Sequence, residues 1–399
     1  MLKSLKRIVY FVEDPEKAKE WYNQLLGKQP VFDTPFAKIY NIGDCSLSLA
    51  KSPASSNEPC ESMHVYWEVD DIDSVFEKMV SMGAQVKSPV KQVFNIRIAQ
   101  LVDPFVNVIG LTGELKNTEN RTVEKQPSET AQTVAFCRAL AFKDNRQEVK
   151  GPDYLAELFL NDDAKKILQN EDSRKWAKEN LVTSPLYSYF IARTSFIDSI
   201  FKSACEENIA QIVFLGAGYD TRAYRFRDQL KNAVVFEMDI CPTQQRKTEI
   251  LKANGIAIPD SLVFISINFK TDDIIESLIK VGYDSSKKTL FIWEGVTYYL
   301  TKEAVEKTIT LIQKYSSNGS IVCFDYMSEK LESVNPAEPF KFWAAGQEIE
   351  ELLYKNNIKI NEHIDSSEMT RRYLTLKDGT IAENILTSFC FVKGVVKRS

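Results

Sequence analysis

The run Ile212-Val-Phe-Leu-Gly-Ala-Gly-Tyr-Asp-Thr-Arg-Ala-Tyr-Arg225 constrains this chain more than any other. Four apolar residues lead straight into a Gly-x-Gly turn, then into Asp220, Thr221 and two arginines. That order describes a buried parallel strand ending in a tight turn without side chains, with a helix to follow. A dinucleotide fingerprint needs glycine at the third slot of Gly-x-Gly-x-x-Gly, so that a helix can pack close over a pyrophosphate. Thr221 fills that slot here. A turn that offers polar groups suits a nucleoside carrying an amino-acid tail better than one carrying phosphates.

A nucleoside site also wants a carboxylate at the end of the next strand, roughly 20 residues on, to accept from the ribose hydroxyls. The segment Ala233-Val-Val-Phe-Glu-Met-Asp239 supplies two candidates, Glu237 and Asp239. S-adenosylmethionine is a ligand of this description. Further apolar strands are expected at 262–267, 289–293 and 321–326, with helical stretches at 276–281 and 302–315. Strand–helix alternation predicts an α/β fold with a doubly wound, Rossmann-like, mostly parallel sheet. Ligands of such sheets bind outside the carboxyl ends of the strands. Gly216, Glu237 or Asp239, Asn268 and Glu294 each fall at a carboxyl end.

A polar, charged stretch at 115–128, Leu115-Lys-Asn-Thr-Glu-Asn-Arg-Thr-Val-Glu-Lys-Gln-Pro-Ser128, reads as a linker. Before it, 1–114 reads as an α+β domain. A strand at 5–12, a helix at 15–26 and short strands near 31, 37–42 and 47–50 are followed by a second round. There a strand at 64–69 and a helix at 72–82 precede strands near 86, 96–102 and 106–111. Two βαβββ modules are an internal repeat. After the linker, 129–399 holds the sheet, with a helical cap over 129–205.

These pieces carry two resemblances. Leu215 to Arg225, Phe236-Glu-Met-Asp-Ile-Cys-Pro242 and Phe291-Ile-Trp-Glu-Gly-Val-Thr-Tyr-Tyr-Leu300 resemble the leucine carboxyl methyltransferase family of class I S-adenosylmethionine enzymes. So do Thr130-Ala-Gln-Thr-Val-Ala-Phe-Cys-Arg-Ala139 and the "Ala-Arg-Thr" run Tyr189 to Asp198. The resemblance implies an O-methyltransferase with S-adenosyl-L-methionine as cofactor. It places Arg193 on the methionyl carboxylate and Gly216, Gly218 and Asp220 in the turn beneath the ligand. Asp239, with Glu237 as rival, falls to the ribose, and Asn268 and Phe269 to the adenine, Asn268 standing where the family commonly has Asp. Glu294 falls beneath the methyl donor. The modules resemble the glyoxalase/bleomycin-resistance superfamily through Phe11-Val-Glu-Asp-Pro15, Trp21-Tyr-Asn-Gln-Leu-Leu-Gly27, Trp67-Glu-Val-Asp-Asp-Ile72 and Asp103-Pro-Phe-Val-Asn107. That superfamily's four metal positions fall near Arg7, Ser48, His64 and Gly110, of which only His64 can ligate, so no metal is expected.

Fifty basic and 55 acidic residues, net −5, with no basic cluster argue against nucleic acid. No apolar stretch approaches a membrane span. Seven scattered cysteines without a Cys-x-x-Cys pair read as reduced packing residues of a cytoplasmic protein. The N-terminal domain is expected to serve as a binding cup, a homodimer surface or a structural appendage.

Only two histidines exist, His64 and His363, and neither lies in a motif strand. Methylation of a poorly acidic hydroxyl generally needs a base, most often histidine. An ionised carboxylate needs none. The expected acceptor is therefore a carboxylate or acidic hydroxyl of a small metabolite, with Glu294 and Tyr298 as catalytic candidates and Asp325 as a further candidate base. Its pocket is expected between the cap and the segment following the strand at 321–326. Methylation of a protein C-terminus, or a non-catalytic scaffold keeping both folds, are the alternatives.

Overall fold

A computed structural model of the chain describes residues 7–35, 37–43, 45–51, 65–93, 96–114, 124–180, 182, 184–269, 271–331 and 338–398. The chain divides into two compact units, Met1–Asn117 and Thr118–Ser399.

In the first unit, β1 (Arg7–Val12), α1 (Pro15–Leu26), β2 (Phe32–Thr34), β3 (Ala37–Ile42) and β4 (Cys45–Lys51) give a sheet of order β1-β4-β3-β2. The same topology recurs in β5 (Val65–Glu68), α2 (Ile72–Ser81), β6 (Gln85–Val93), β7 (Ile96–Val102) and β8 (Val108–Glu114), ordered β5-β8-β7-β6. In each sheet the outer first strand pairs in parallel with the last. Local chemistry sets the helix starts: Asp14 accepts from the amides of Glu16 and Lys17, and Asp71 from that of Ser74. The two modules share one core, containing Tyr22, Tyr40 and Leu49 of the first and Ile72, Met79 and Leu101 of the second. Polar bonds tie them together. Trp21 Nε1 donates to the Met82 carbonyl (2.9 Å), and the Tyr22 hydroxyl donates to the buried Asp103 carboxylate (2.7 Å). Asp103 also accepts from the amides of Phe105 and Asn107, so the buried carboxylate is fully met.

In the second unit, four helices come first: α3 (Glu129–Phe142), α4 (Asp162–Gln169), α5 (Glu171–Asn180) and α6 (Ser184–Glu206). A seven-stranded sheet follows, with β9 (Gln211–Leu215), β10 (Val234–Asp239), β11 (Leu262–Ser266), β12 (Thr289–Trp293), β13 (Ile321–Met327), β14 (Ile358–Ile364) and β15 (Phe389–Val396). Its order is β11-β10-β9-β12-β13-β15-β14. The first five strands are parallel, and β15 lies antiparallel between β13 and β14. The α/β sheet expected from the alternation is present; the antiparallel pair at its edge is an addition the alternation does not announce. Every residue of β9, β12 and β13 is buried, which explains their unbroken apolar runs. Val213, Leu215, Phe236, Met238, Phe291, Trp293, Phe324 and Tyr326 turn to one sheet face and form a continuous core. The chain runs β9-β10-β11 to one side and β12-β13 to the other. The strand order therefore reverses between β9 and β12, leaving a crevice at their carboxyl ends.

Candidate active site

The crevice is occupied by a cavity of about 230 Å³. Its floor is the turn after β9. Gly216 has φ +83°, and a β-carbon there would stand 2.5 Å from Val296 Cγ2, so only glycine fits. The amides of Gly216 and Ala217 both donate to the Met238 carbonyl (2.9 Å), which fixes the turn to the neighbouring strand. The Gly218 amide donates to Asp239 Oδ2, and the Ile240 amide to its other oxygen (2.7 Å). Burial pushes the Asp239 carboxyl up to about 6, even with both amides opposing the shift.

Of the residues singled out in the sequence, Arg193, Gly216, Gly218, Asp220, Asp239, Asn268, Phe269 and Glu294 all line this cavity. Glu237 and Tyr298 do not. Glu237 lies deeper along the strand, its Oε2 accepting from buried Lys247 (2.6 Å), with burial raising its carboxyl to about 7. The two rivals share one face of β10 and differ in depth: Asp239, at the carboxyl end, reaches the cavity, and Glu237, two residues back, belongs to a buried ion pair. The Tyr298 hydroxyl is turned inward and receives Nη1 of Arg193 (3.0 Å). Burial drives its pKa far up, and the hydroxyl supports Arg193 from outside the cavity lining.

Glu294 joins two buried arginines. Oε1 accepts from Arg193 Nε (3.1 Å) and Oε2 from Arg222 Nη1 (2.7 Å). Burial alone would raise its pKa, but Arg222, Arg193 and Arg138 outweigh it and hold the carboxyl well below its usual range. Glu294 thus sits ionised between two guanidinium groups. It does not cap the following helix, whose N-cap is Thr301. Asp220, although on the cavity wall, spends its carboxylate on Arg222.

Arg193 arrives from α6, which the apolar cap buries almost throughout. Its Nε and Nη1 are taken by Glu294, Asp325 (3.1 Å) and Tyr298, and its plane rests 4.9 Å from the Phe190 ring centroid. Nη2 makes no hydrogen bond to the described residues, and Arg193 is part of the cavity lining.

Arg138 of α3 also lines the cavity and went unnamed in the sequence reading. It donates through Nη2 to the Tyr219 carbonyl (2.6 Å) and faces Asp153. A lone cation inside the apolar run Val134-Ala-Phe-Cys-Arg-Ala-Leu-Ala-Phe142 was the signal that marks it. Two segments complete the wall: Ser128 and Thr130 at the start of α3, and Glu338, Pro339 and Lys341 after β13. Ser128 Oγ donates to Glu338 (3.2 Å) while its amide donates to Thr243 Oγ1 (3.0 Å).

Residues 131–313 match the family model described as leucine carboxyl methyltransferase. A relative from Bacillus subtilis, provisionally named S-adenosyl-L-methionine-dependent methyltransferase YktD, is 30% identical over 229 residues. The match covers 53% of this chain and 73% of that protein. The chain belongs to the leucine carboxyl methyltransferase family. A relative with the same kind of provisional name, from Mycolicibacterium paratuberculosis, is 29% identical over 52% of this chain and 68% of its own. Residues 4–111 match the model of the glyoxalase/bleomycin resistance protein/dioxygenase superfamily.

The family's nucleoside cofactor fits the donor set: a strand-end carboxylate, a side-chain-free turn and an arginine edge meet in one cavity. The metal of the glyoxalase superfamily does not fit. At Gly110 a β-carbon would stand 2.6 Å from Tyr66 Cδ1, so an aromatic ring fills the space of a ligating side chain. Ser48 is a buried hydroxyl, Arg7 is a cation by type, and His64 lies outside the described residues.

Proposed function

We propose that this methyltransferase-family chain binds S-adenosyl-L-methionine and methylates an oxygen of a small metabolite, a carboxylate or an acidic hydroxyl. The observation that carries the reading is Asp239 and the open edge of Arg193 lining one cavity. When bound, the cofactor supplies an activated methyl group on a sulfonium centre. Asp239 accepts from the ribose hydroxyls, and Asn268 and Phe269 hold the adenine. Arg193, with Arg138 nearby, takes the amino-acid carboxylate, and Glu294 keeps Arg193 aimed. The start of α3 and the 338–341 segment exclude water from the acceptor.

The acceptor preference follows from acidity. Glu294, with its pKa held low, is a weak base, and no histidine lines the cavity among the described residues. An acceptor ionised at neutral pH needs only in-line placement. One observation favours the hydroxyl branch. Glu338 lines the cavity and burial raises its carboxyl, which suits it to take a phenolic or enolic proton.

Calorimetry should find S-adenosylmethionine binding in the micromolar range and no NAD binding; preference for NAD overturns the cofactor reading. Methyl transfer from labelled cofactor into a metabolite extract identifies the acceptor class. A base-labile product is an ester, and a base-stable O-methyl product is an ether. Glu338→Gln should slow only the second. Label found in an N-methyl product, or solely in protein, rejects the proposal.

A further inference from the structure

We propose that Asp325 is a positioning residue that sets the cofactor-facing edge of Arg193. It does so by bracing helix α6 against the end of strand β12. This inference rests on the cofactor reading above. Asp325 is the one acid on β13, in the fully buried run Ile321-Val-Cys-Phe-Asp-Tyr-Met327. Phe324 and Tyr326 on either side of it turn into the apolar core, so Asp325 faces the opposite side, where α6 lies. A buried carboxylate there is costly unless every lone pair is used, and its two oxygens are divided between two elements. Oδ1 accepts from the Gly295 amide (2.6 Å), immediately after Glu294. Oδ2 accepts from Arg193 Nη1 (3.1 Å) and from the Tyr189 hydroxyl, both on α6.

The consequence is geometric. Arg193 and Glu294 come from elements 101 residues apart in sequence, yet must meet at 3.1 Å. Asp325 holds the helix that bears one and the turn that follows the other. It pins Nη1, and Glu294 pins Nε, so the guanidinium cannot rotate and Nη2 stays turned to the cavity. Asp325 itself is not part of the cavity wall and so touches no ligand. Its effect on binding passes through Arg193.

The test compares two ligands in the full chain by calorimetry: S-adenosylhomocysteine, which carries the amino-acid tail, and 5′-methylthioadenosine, which lacks it. Asp325→Asn keeps the shape but sets an amide against two donors. It should weaken S-adenosylhomocysteine by about tenfold, the size of one misdirected charged hydrogen bond, and leave methylthioadenosine within about twofold. Tyr189→Phe removes one donor from the same oxygen and should give the same split at about threefold. It serves as the test if circular dichroism shows Asp325→Asn unfolded. Equal loss for both ligands makes Asp325 merely structural and overturns the proposal, as does unchanged binding of both. If the unaltered chain binds neither ligand, the cofactor reading itself fails. If it binds both and the split is missing, only the brace fails.

Discussion

A β-carbon on Gly295 would stand 2.9 Å from Nη1 of Arg193. The glycine also has φ +73°, so its place after Glu294 is fixed twice, by backbone and by the guanidinium pressed on it. Gly295→Ala should cost about 1–2 kcal/mol of stability from the left-handed backbone. It should also push Arg193 off Glu294. We expect S-adenosylhomocysteine affinity to fall further than the melting temperature accounts for, as titration at a temperature well below the transition will show. Unchanged affinity would mean that Arg193 has room to give.

Arg193→Ala should remove about 2–5 kcal/mol from cofactor binding, because a desolvated carboxylate loses its charged partner. Arg193→Lys should recover only part of this. An ammonium reaches one acceptor as a point charge, whereas the guanidinium serves Glu294, Asp325 and the cavity at once. Equal affinity of the lysine variant and the unaltered chain would rule out a role for the planar fork.

The strand ends of the site were legible because their chemistry is local. A Gly-x-Gly turn and a carboxylate at the end of an apolar run announce themselves in any register, and Gly216, Asp239 and Glu294 stand at strand ends. Choosing between Glu237 and Asp239 needed the exact end of β10, because the two share a face and only the residue at the carboxyl end reaches the cavity. Tyr298 was harder still, since the adjacent Tyr299 lines the cavity and Tyr298 does not. Asp325 was visible as an acid in an apolar strand, but its bracing involves Gly295, Tyr189 and Arg193, three residues with no common spacing. Arg138 could be seen only as an anomaly within a helix. The β14–β15 pair escaped because antiparallel edge strands break the alternation on which the fold class was read.

His363 is bound away from the cavity, its Nε2 at 2.8 Å from the Tyr326 hydroxyl and its Nδ1 at 3.0 Å from Glu350. His363→Ala should therefore leave S-adenosylmethionine affinity within about twofold. It strands a buried tyrosine hydroxyl, so stability should drop by about 1–3 kcal/mol. Loss of methyl transfer with cofactor affinity intact would identify His363 as a base and move the acceptor towards a hydroxyl.

The full chain should purify without stoichiometric zinc, nickel, manganese or iron. Elemental analysis finding one metal per chain, lost on His64→Ala, would show that the first unit recruits donors other than Ser48 and Gly110.

Cofactor affinity should depend on pH through Asp239. Its carboxyl titrates near 6 in the folded chain, above the ordinary 3.8, because burial outweighs the two amides that favour its charge. The ribose needs the ionised form, so affinity should be level above about pH 7 and fall up to tenfold per unit below 6. Binding at pH 6 should release about half a proton per chain, measurable by calorimetry in buffers of different ionisation enthalpy. The sign for stability is opposite. A raised carboxyl favours the folded state most below the unfolded pKa, so the ligand-free chain should lose this contribution as pH climbs from about 4 through 6. Asp239→Asn should abolish both dependences and bind weakly at every pH. If that variant keeps the proton release, another group carries it, Glu237 at about 7 being the first to substitute.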